Sequence, residues 1–237
     1  MKGEKLMSAT SSTPDPATGQ PVKPTVVLVH GALADSLGFG AVIDRLRRDG
    51  YTVRAAPNPL LGLQSDAATV RGFLDSIKGP KIVVGHSYGG AVITQAASGD
   101  PDVKALVYLA ALAPDRGEVL GDLVNTPVAH PVAQGPFVTV NVTQPDGTKR
   151  TDLYLDPSQF RARFAADLPA GVAADLAATQ RPLSAAAFAD TLTVEPAWKT
   201  IPSWYLVSGQ DQTLSPDLER FQADRMHAHT SQIDSSH

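Results

Sequence analysis

One five-residue stretch limits the fold of this chain more than any other: Gly85-His86-Ser87-Tyr88-Gly89. It follows an apolar run, Lys81-Ile82-Val83-Val84, and precedes a helical pattern from Tyr88 to Ser98. A strand that turns sharply into a helix puts the residue at the corner in strained backbone geometry. Glycines on either side relieve the crowding, and the corner hydroxyl projects above the sheet at the positive end of the helix. The segment therefore reads as a nucleophile mount with Ser87 as the attacking group, in preference to a Gly-rich turn with an incidental serine.

The rest of the chain supplies a sheet to carry that corner. Thr25 to His30 is a continuous apolar, β-branched run, as expected of a strand buried on both faces of a parallel sheet. Phe39, Val42, Ile43 and Leu46 fall at helical spacing, and that helix ends near Gly50. Tyr51 to Ala56 reads as a second strand, and Val70, Phe73, Leu74 and Ile77 mark a helix stopped by Gly79-Pro80. Further strands are expected from Lys104 to Ala111, at Trp204 to Val207 and near Gln232-Ile233, with a helix from about Ser215 to Met226. Strands alternating with helices predict an α/β fold with a doubly wound, mostly parallel sheet.

The alternation breaks between about Pro114 and Pro202. There, Phe137 to Val142 and Lys149 to Leu155 flank a turn signal, Gln144-Pro145-Asp146-Gly147, which predicts a hairpin. Alanine-rich segments over Pro157 to Asp167, Gly171 to Thr179 and Ser184 to Asp190 read as short helices. A hairpin with short helices at this place makes a lid over the C-terminal edge of the sheet, where open α/β sheets bind ligands.

A serine hydroxyl needs a base to take its proton. On a strand–turn–helix serine the partners follow in the order acid, then histidine. Asp211, just past the strand ending at Val207, is the expected orienting acid, with Asp115 as fallback at the lid hinge. His237 alone among the six histidines follows the last short strand, and it is the expected base even though it is the final residue. His30 ends the first strand and reads as a brace for the loop after it, while the side chain of His86 is expected to point away from the site. Two N–H donors must meet the oxyanion of an acyl-transfer intermediate. The expected pair is Tyr88, after the nucleophile, and Ala32 in His30-Gly31-Ala32-Leu33, with Leu33 next in line.

Together these residues resemble the small serine esterases of the α/β-hydrolase superfamily. The likeness is greatest to the branch that holds methylesterases, hydroxynitrile lyases and their bacterial relatives. It rests on Val-Leu-Val-His30-Gly31-Ala32, on Val-Val-Gly-His86-Ser87-Tyr88-Gly89-Gly90, on Ala113-Pro114-Asp115 after Leu-Val-Tyr-Leu-Ala-Ala, and on Ile201-Pro202-Ser203-Trp204-Tyr205 leading to Asp211. The resemblance implies an α/β-hydrolase fold over residues 25–237 and cleavage of small or medium carboxylic esters through an acyl-enzyme, without metal or organic cofactor. A lyase, a cofactor-free oxygenase or an impaired ligand-binding relative is the alternative on the same fold. Ala32 lacks the hydroxyl that hydroxynitrile lyases carry there. Members of the branch continue past the histidine with another helix, so the stop at His237 reads as a truncation.

Composition narrows the partners. A formal net charge of −4 leaves no basic surplus for phosphates, so no nucleic-acid partner is expected. Cysteine is absent, which excludes thiol catalysis and disulfide bridges. No apolar segment is long enough to span a membrane, and Met1 to Pro24 reads as a disordered leader without a signal-peptide core. A cytoplasmic protein is expected, acting on a small-molecule ester with no membrane partner, and a homodimer is compatible with the chain.

Overall fold

The computed structural model describes residues 23–237, so residues 1–22 of the expected leader lie outside it. Along the chain come β1 (Thr25–Val29), α1 (Gly40–Arg48), β2 (Val53–Ala55), α2 (Leu63–Asp75), β3 (Lys81–His86), α3 (Tyr88–Ala96) and β4 (Val103–Leu109). The intervening segment holds α4 (Leu120–Val124), β5 (Phe137–Thr143), β6 (Lys149–Leu155), α5 (Pro157–Phe164), α6 (Ala170–Thr179) and β7 (Leu183–Ser184). After it come β8 (Ser203–Ser208), α7 (Pro216–Arg225) and β9 (His229–Ile233).

The main sheet runs in the order β2-β1-β3-β4-β8-β9, and every neighbouring pair is parallel. The central strands β1 and β3 bury side chains on both faces, which is why their sequences show no polar alternation. Val27, Val29 and Val83 face the main core with Leu74, Ile93 and Leu218 of the helices on that side. Val26, Leu28 and Val84 face the other way, toward Phe39, Ile43 and Leu46. Val42 departs from its expected place. It is 41% exposed, because α1 covers its face of the sheet only partly and carries no fully buried residue.

The expected lid hairpin forms, with Thr143 opposite Lys149. Gly147 closes its turn at φ 84°, a backbone setting that glycine adopts without strain. Two lid elements differ from the sequence reading. Ser184 to Asp190, expected as a helix, is the short strand β7 followed by a 3-10 turn over Ala185–Ala189, because Leu183 and Ser184 pair with Leu153 and Asp152 of β6. The helix α4 has no alanine-rich signature and went unread. The two ends of the insertion are joined by Gly117 N–H to Leu192 O at 2.9 Å and Leu120 N–H to Asp190 O at 2.9 Å.

The parallel order sets where chemistry can occur. The loops leaving β1, β3, β8 and β9 all emerge at the C-terminal edge of one sheet. Those loops carry Ala32, Ser87, Asp211 and His237.

Candidate active site

Ser87 joins β3 to α3 with φ 54° and ψ −127°, a left-handed setting costly for a residue with a side chain. Its carbonyl is held by Gly90 N–H at 2.9 Å and Leu112 N–H at 3.0 Å, and its own N–H donates to Leu109 O at 3.1 Å. These bonds pin the strained corner. Close packing adds to them: a Cβ placed on Gly89 would lie 2.5 Å from the carbonyl oxygen of Val29. Gly89→Ala is accordingly expected to destabilise the fold by about 3 kcal/mol, through overpacking against backbone that cannot retreat. Thermal denaturation would show this as a fall in Tm of roughly 10 °C for a chain of this size.

The loop after β1 lies directly against the serine. A Cβ on Gly31 would be 2.5 Å from Ser87 Cβ, so only glycine lets the two backbones approach this closely. Leu33 is held at φ 60°, and its N–H donates to Arg181 O at 3.1 Å in the lid. That bond occupies the Leu33 N–H, and Ala32 and Leu33 both line the cavity to which Ser87 opens. Tyr88 is the first residue of α3, where an N–H has no partner within the helix. Its phenol donates to the buried Asp66 at 2.8 Å, which ties the start of α3 to α2. His30 braces the loop from below: its Nδ1–H donates to Gly31 O at 2.9 Å, and Asn58 Nδ2–H donates to His30 O at 2.8 Å. Burial holds the His30 imidazole below its ordinary pKa, so it stays neutral.

Asp211 and His237 meet. His237 Nδ1 donates to Asp211 Oδ2 at 2.5 Å, and both side chains are fully buried. Asp211 Oδ1 accepts from the N–H groups of Thr213 at 2.6 Å and Leu214 at 2.9 Å, which fixes the carboxylate. His237 Nε2 is buried and makes no hydrogen bond among the described residues, so Ser87 and His237 are not bonded to each other here. Asp115, the fallback acid, is instead paired with Lys199 at 2.6 Å beside the lid hinge.

A chain-terminal imidazole would ordinarily fray. This one is held by its neighbours. Ser236 donates from both its N–H and its hydroxyl to the Asp167 carboxylate, which follows α5 in the lid. Ser235 O accepts from Gln210 N–H at 3.0 Å, and Ile233 O accepts from Gly209 N–H at 2.8 Å. Phe164 of α5 stands edge-on to the His237 ring at 4.8 Å between centroids. Thr213 Oγ1 donates to Arg163 O at 2.9 Å, so the end of α5 grips the Asp211 loop as well.

His86 does not line the serine cavity but lies against His237. Its ring lies 4.7 Å from that of His237, between Phe39 and Phe164. Burial, and then the nearby His237 and His30, push the His86 pKa well below its ordinary value. His86 is thus a neutral wall for the base. Sequence order gave no sign of this, and none of Asp167 or Ser236 either.

Two cavities meet at the site. Ser87, Ala32 and Tyr88 open to one, whose wall includes Leu112, Phe137 and Phe188. His237 and His86 line the other, together with Phe160 and Leu168. Leu33 and Phe164 border both. Of the apolar lid side chains, Phe137, Phe164 and Phe188 therefore reach the serine cavity, and Phe160 and Leu168 do not.

The family model described as alpha/beta hydrolase family matches residues 26–237. The carbendazim hydrolyzing esterase of Nocardioides sp. (strain SG-4G) is 35% identical over 107 residues, 40% of this chain, and the match spans 44% of that esterase. A probable hydrolase, R7, of Phoma sp. (strain ATCC 20986 / MF5453) is 24% identical over 83% of this chain and 81% of its own length. Among solved structures, polyneuridine aldehyde esterase superposes with a TM-score of 0.75 over 90% of this chain and 91% of that one, at 16% identity.

Proposed function

Since this chain belongs to the alpha/beta hydrolase family, we propose that it is a serine esterase that cleaves small or medium carboxylic esters through an acyl-enzyme on Ser87. The observation that carries this reading is the buried His237–Asp211 contact of 2.5 Å, delivered to the same sheet edge as the strained Ser87 corner. The carbendazim hydrolyzing esterase and the probable hydrolase R7 lend it support, since one is described as an esterase and the other as a hydrolase.

Ser87 Oγ attacks the ester carbonyl carbon while His237 Nε2 takes its proton, and Asp211 holds the other ring nitrogen in its protonated form. The N–H groups of Tyr88 and Ala32 receive the developing oxyanion. The intermediate collapses by breaking the bond to the alcohol oxygen, to which His237 returns the proton. Water then attacks the acyl-enzyme with His237 as base, and Ser87 is released. The apolar wall of the serine cavity suits a hydrocarbon or aromatic group on the substrate.

The direct test uses an activated short-chain ester. A burst of alcohol product equal to the enzyme concentration, and a mass increase of one acyl group on the peptide carrying Ser87, are expected. Steady release with no covalent adduct on that peptide would overturn the reading.

The lid contact yields a further expectation. Asp167→Ala frees Ser236 and loosens His237 without touching the serine cavity. Misplacing a base by an ångström costs about 10- to 100-fold in rate, so kcat should fall by that much while KM changes little. Steady-state kinetics on the same ester measures both.

A further inference from the structure

Behind the Asp211–His237 pair, α7 carries a second carboxyl group into the interior. Glu219 is fully buried, although Phe221 on the same helix is 44% exposed. Its Oε2 accepts from Ser208 N–H at 3.0 Å. Its Oε1 has no donor among the described residues, and Asp211, equally buried, is tied to the same residue, its N–H donating to Ser208 O at 3.2 Å.

Two ionised carboxylates cannot share a dry site without a cation between them. The charged and titratable groups facing Glu219 are Asp211 after β8, Tyr205 of β8 and Arg220 of α7. Arg220 is already engaged, with Asp217 at 2.8 Å and with Gln232 at 2.9 Å. The Tyr205 phenol donates to Ala111 O and not to the carboxyl group. One of the two acids must therefore hold a proton. Asp211 has three donors, from Thr213, Leu214 and His237, whereas Glu219 has one. Hydrogen bonds favour the ionised form where they are most numerous, so the proton belongs on Glu219.

We propose that Glu219 is a positioning residue for the Asp211–His237 pair, donating a hydrogen bond from its own carboxyl proton to the Asp211 carboxylate and so holding that carboxylate against the histidine. The catalytic consequence rests on the ester-hydrolase reading, while the protonation does not. Burial, and then the charge on Asp211, push the Glu219 carboxyl up to about 9. Above that pH a second anion appears beside Asp211 and repels it. The sign for stability follows from the same shift. The folded chain keeps a proton that the unfolded chain releases above 4.5, so folding stability falls as pH rises from 4.5 to about 9.

Glu219→Gln supplies an N–H to Asp211 and an oxygen to Ser208 without titrating, and Glu219→Leu supplies neither. The glutamine variant should keep kcat within about threefold, and the leucine variant should lose at least about tenfold in kcat with KM little changed. Wild-type kcat/KM should decline above pH about 9, and the glutamine variant should not. The fall of Tm between pH 4.5 and about 9 should also be shallower in the glutamine variant. Equal losses in both variants would mean that an ionised carboxylate is needed and would overturn the proposal, as would wild-type turnover in the leucine variant. An unchanged Tm slope in the glutamine variant would overturn it too, since Glu219 would then be ionised in the fold. That slope reads the proton even if no ester is a substrate, and it remains decisive if the leucine variant does not fold.

Discussion

Ser87→Ala is expected to lower kcat for an activated ester by on the order of 10⁵-fold, with the folded structure unchanged. The loss is this large because, in the proposed reaction, the hydroxyl carries the acyl group, and binding plus oxyanion donors supply only the residual rate. Alanine fits the corner without new contacts, because the strain at φ 54° lies in the backbone and the bonds from Gly90 and Leu112 to the residue's carbonyl are kept. Tm should therefore stay within a few degrees of the parent, roughly the shift that 1 kcal/mol produces at this size. A fluorophosphonate should label the parent on Ser87 and leave the variant unlabelled. Unchanged ester turnover in the variant would remove acyl-enzyme chemistry, and retained conversion of a non-ester substrate would favour a lyase or oxygenase reaction, which does not need that adduct.

The serine corner was legible because its requirements are local. Strand, glycine, serine, glycine and helix are adjacent in the chain, and so the sequence displays the whole device. Asp211 was legible for a similar reason, since it follows a recognisable apolar strand. The structures around the base were not. His86 lies against the His237 ring, Asp167 holds the neighbouring Ser236 and Glu219 is buried against Ser208, from three elements far apart in sequence, and nothing near any of them marks the contact. Glu219 was hidden by periodicity as well. In Leu218-Glu219-Arg220-Phe221-Gln222 the polar Glu219 and Gln222 face inward and Phe221 faces out, the reverse of the pattern that an amphipathic reading assumes. Gln222 earns its interior place by hydrogen bonds to the chain after β4, accepting from Ala113 N–H at 2.6 Å. The strand β7 was missed because a two-residue strand has no pattern of its own and exists only through β6.

His237→Ala carries the second large effect. Removing the base should lower kcat on the order of 10⁴- to 10⁶-fold, close to the loss of the nucleophile, because the two act as one unit and their deletions do not add. Asp211→Asn should cost about 10⁴-fold by leaving the imidazole in the wrong tautomer. The double variant Ser87→Ala with His237→Ala should then be no worse than either alone. The fold should survive the loss of the ring, since Ser236 stays bonded to Asp167 and Gly209 to Ile233. The ring leaves a space between Phe164 and His86, and a buried gap of that kind costs about 2 kcal/mol. The same space invites a chemical rescue. Added imidazole should restore part of the lost turnover in His237→Ala, and none in Ser87→Ala, when rates are followed against imidazole concentration. Full activity in His237→Ala without any added base would show that the buried contact with Asp211 is structural and that the proton leaves Ser87 by another route.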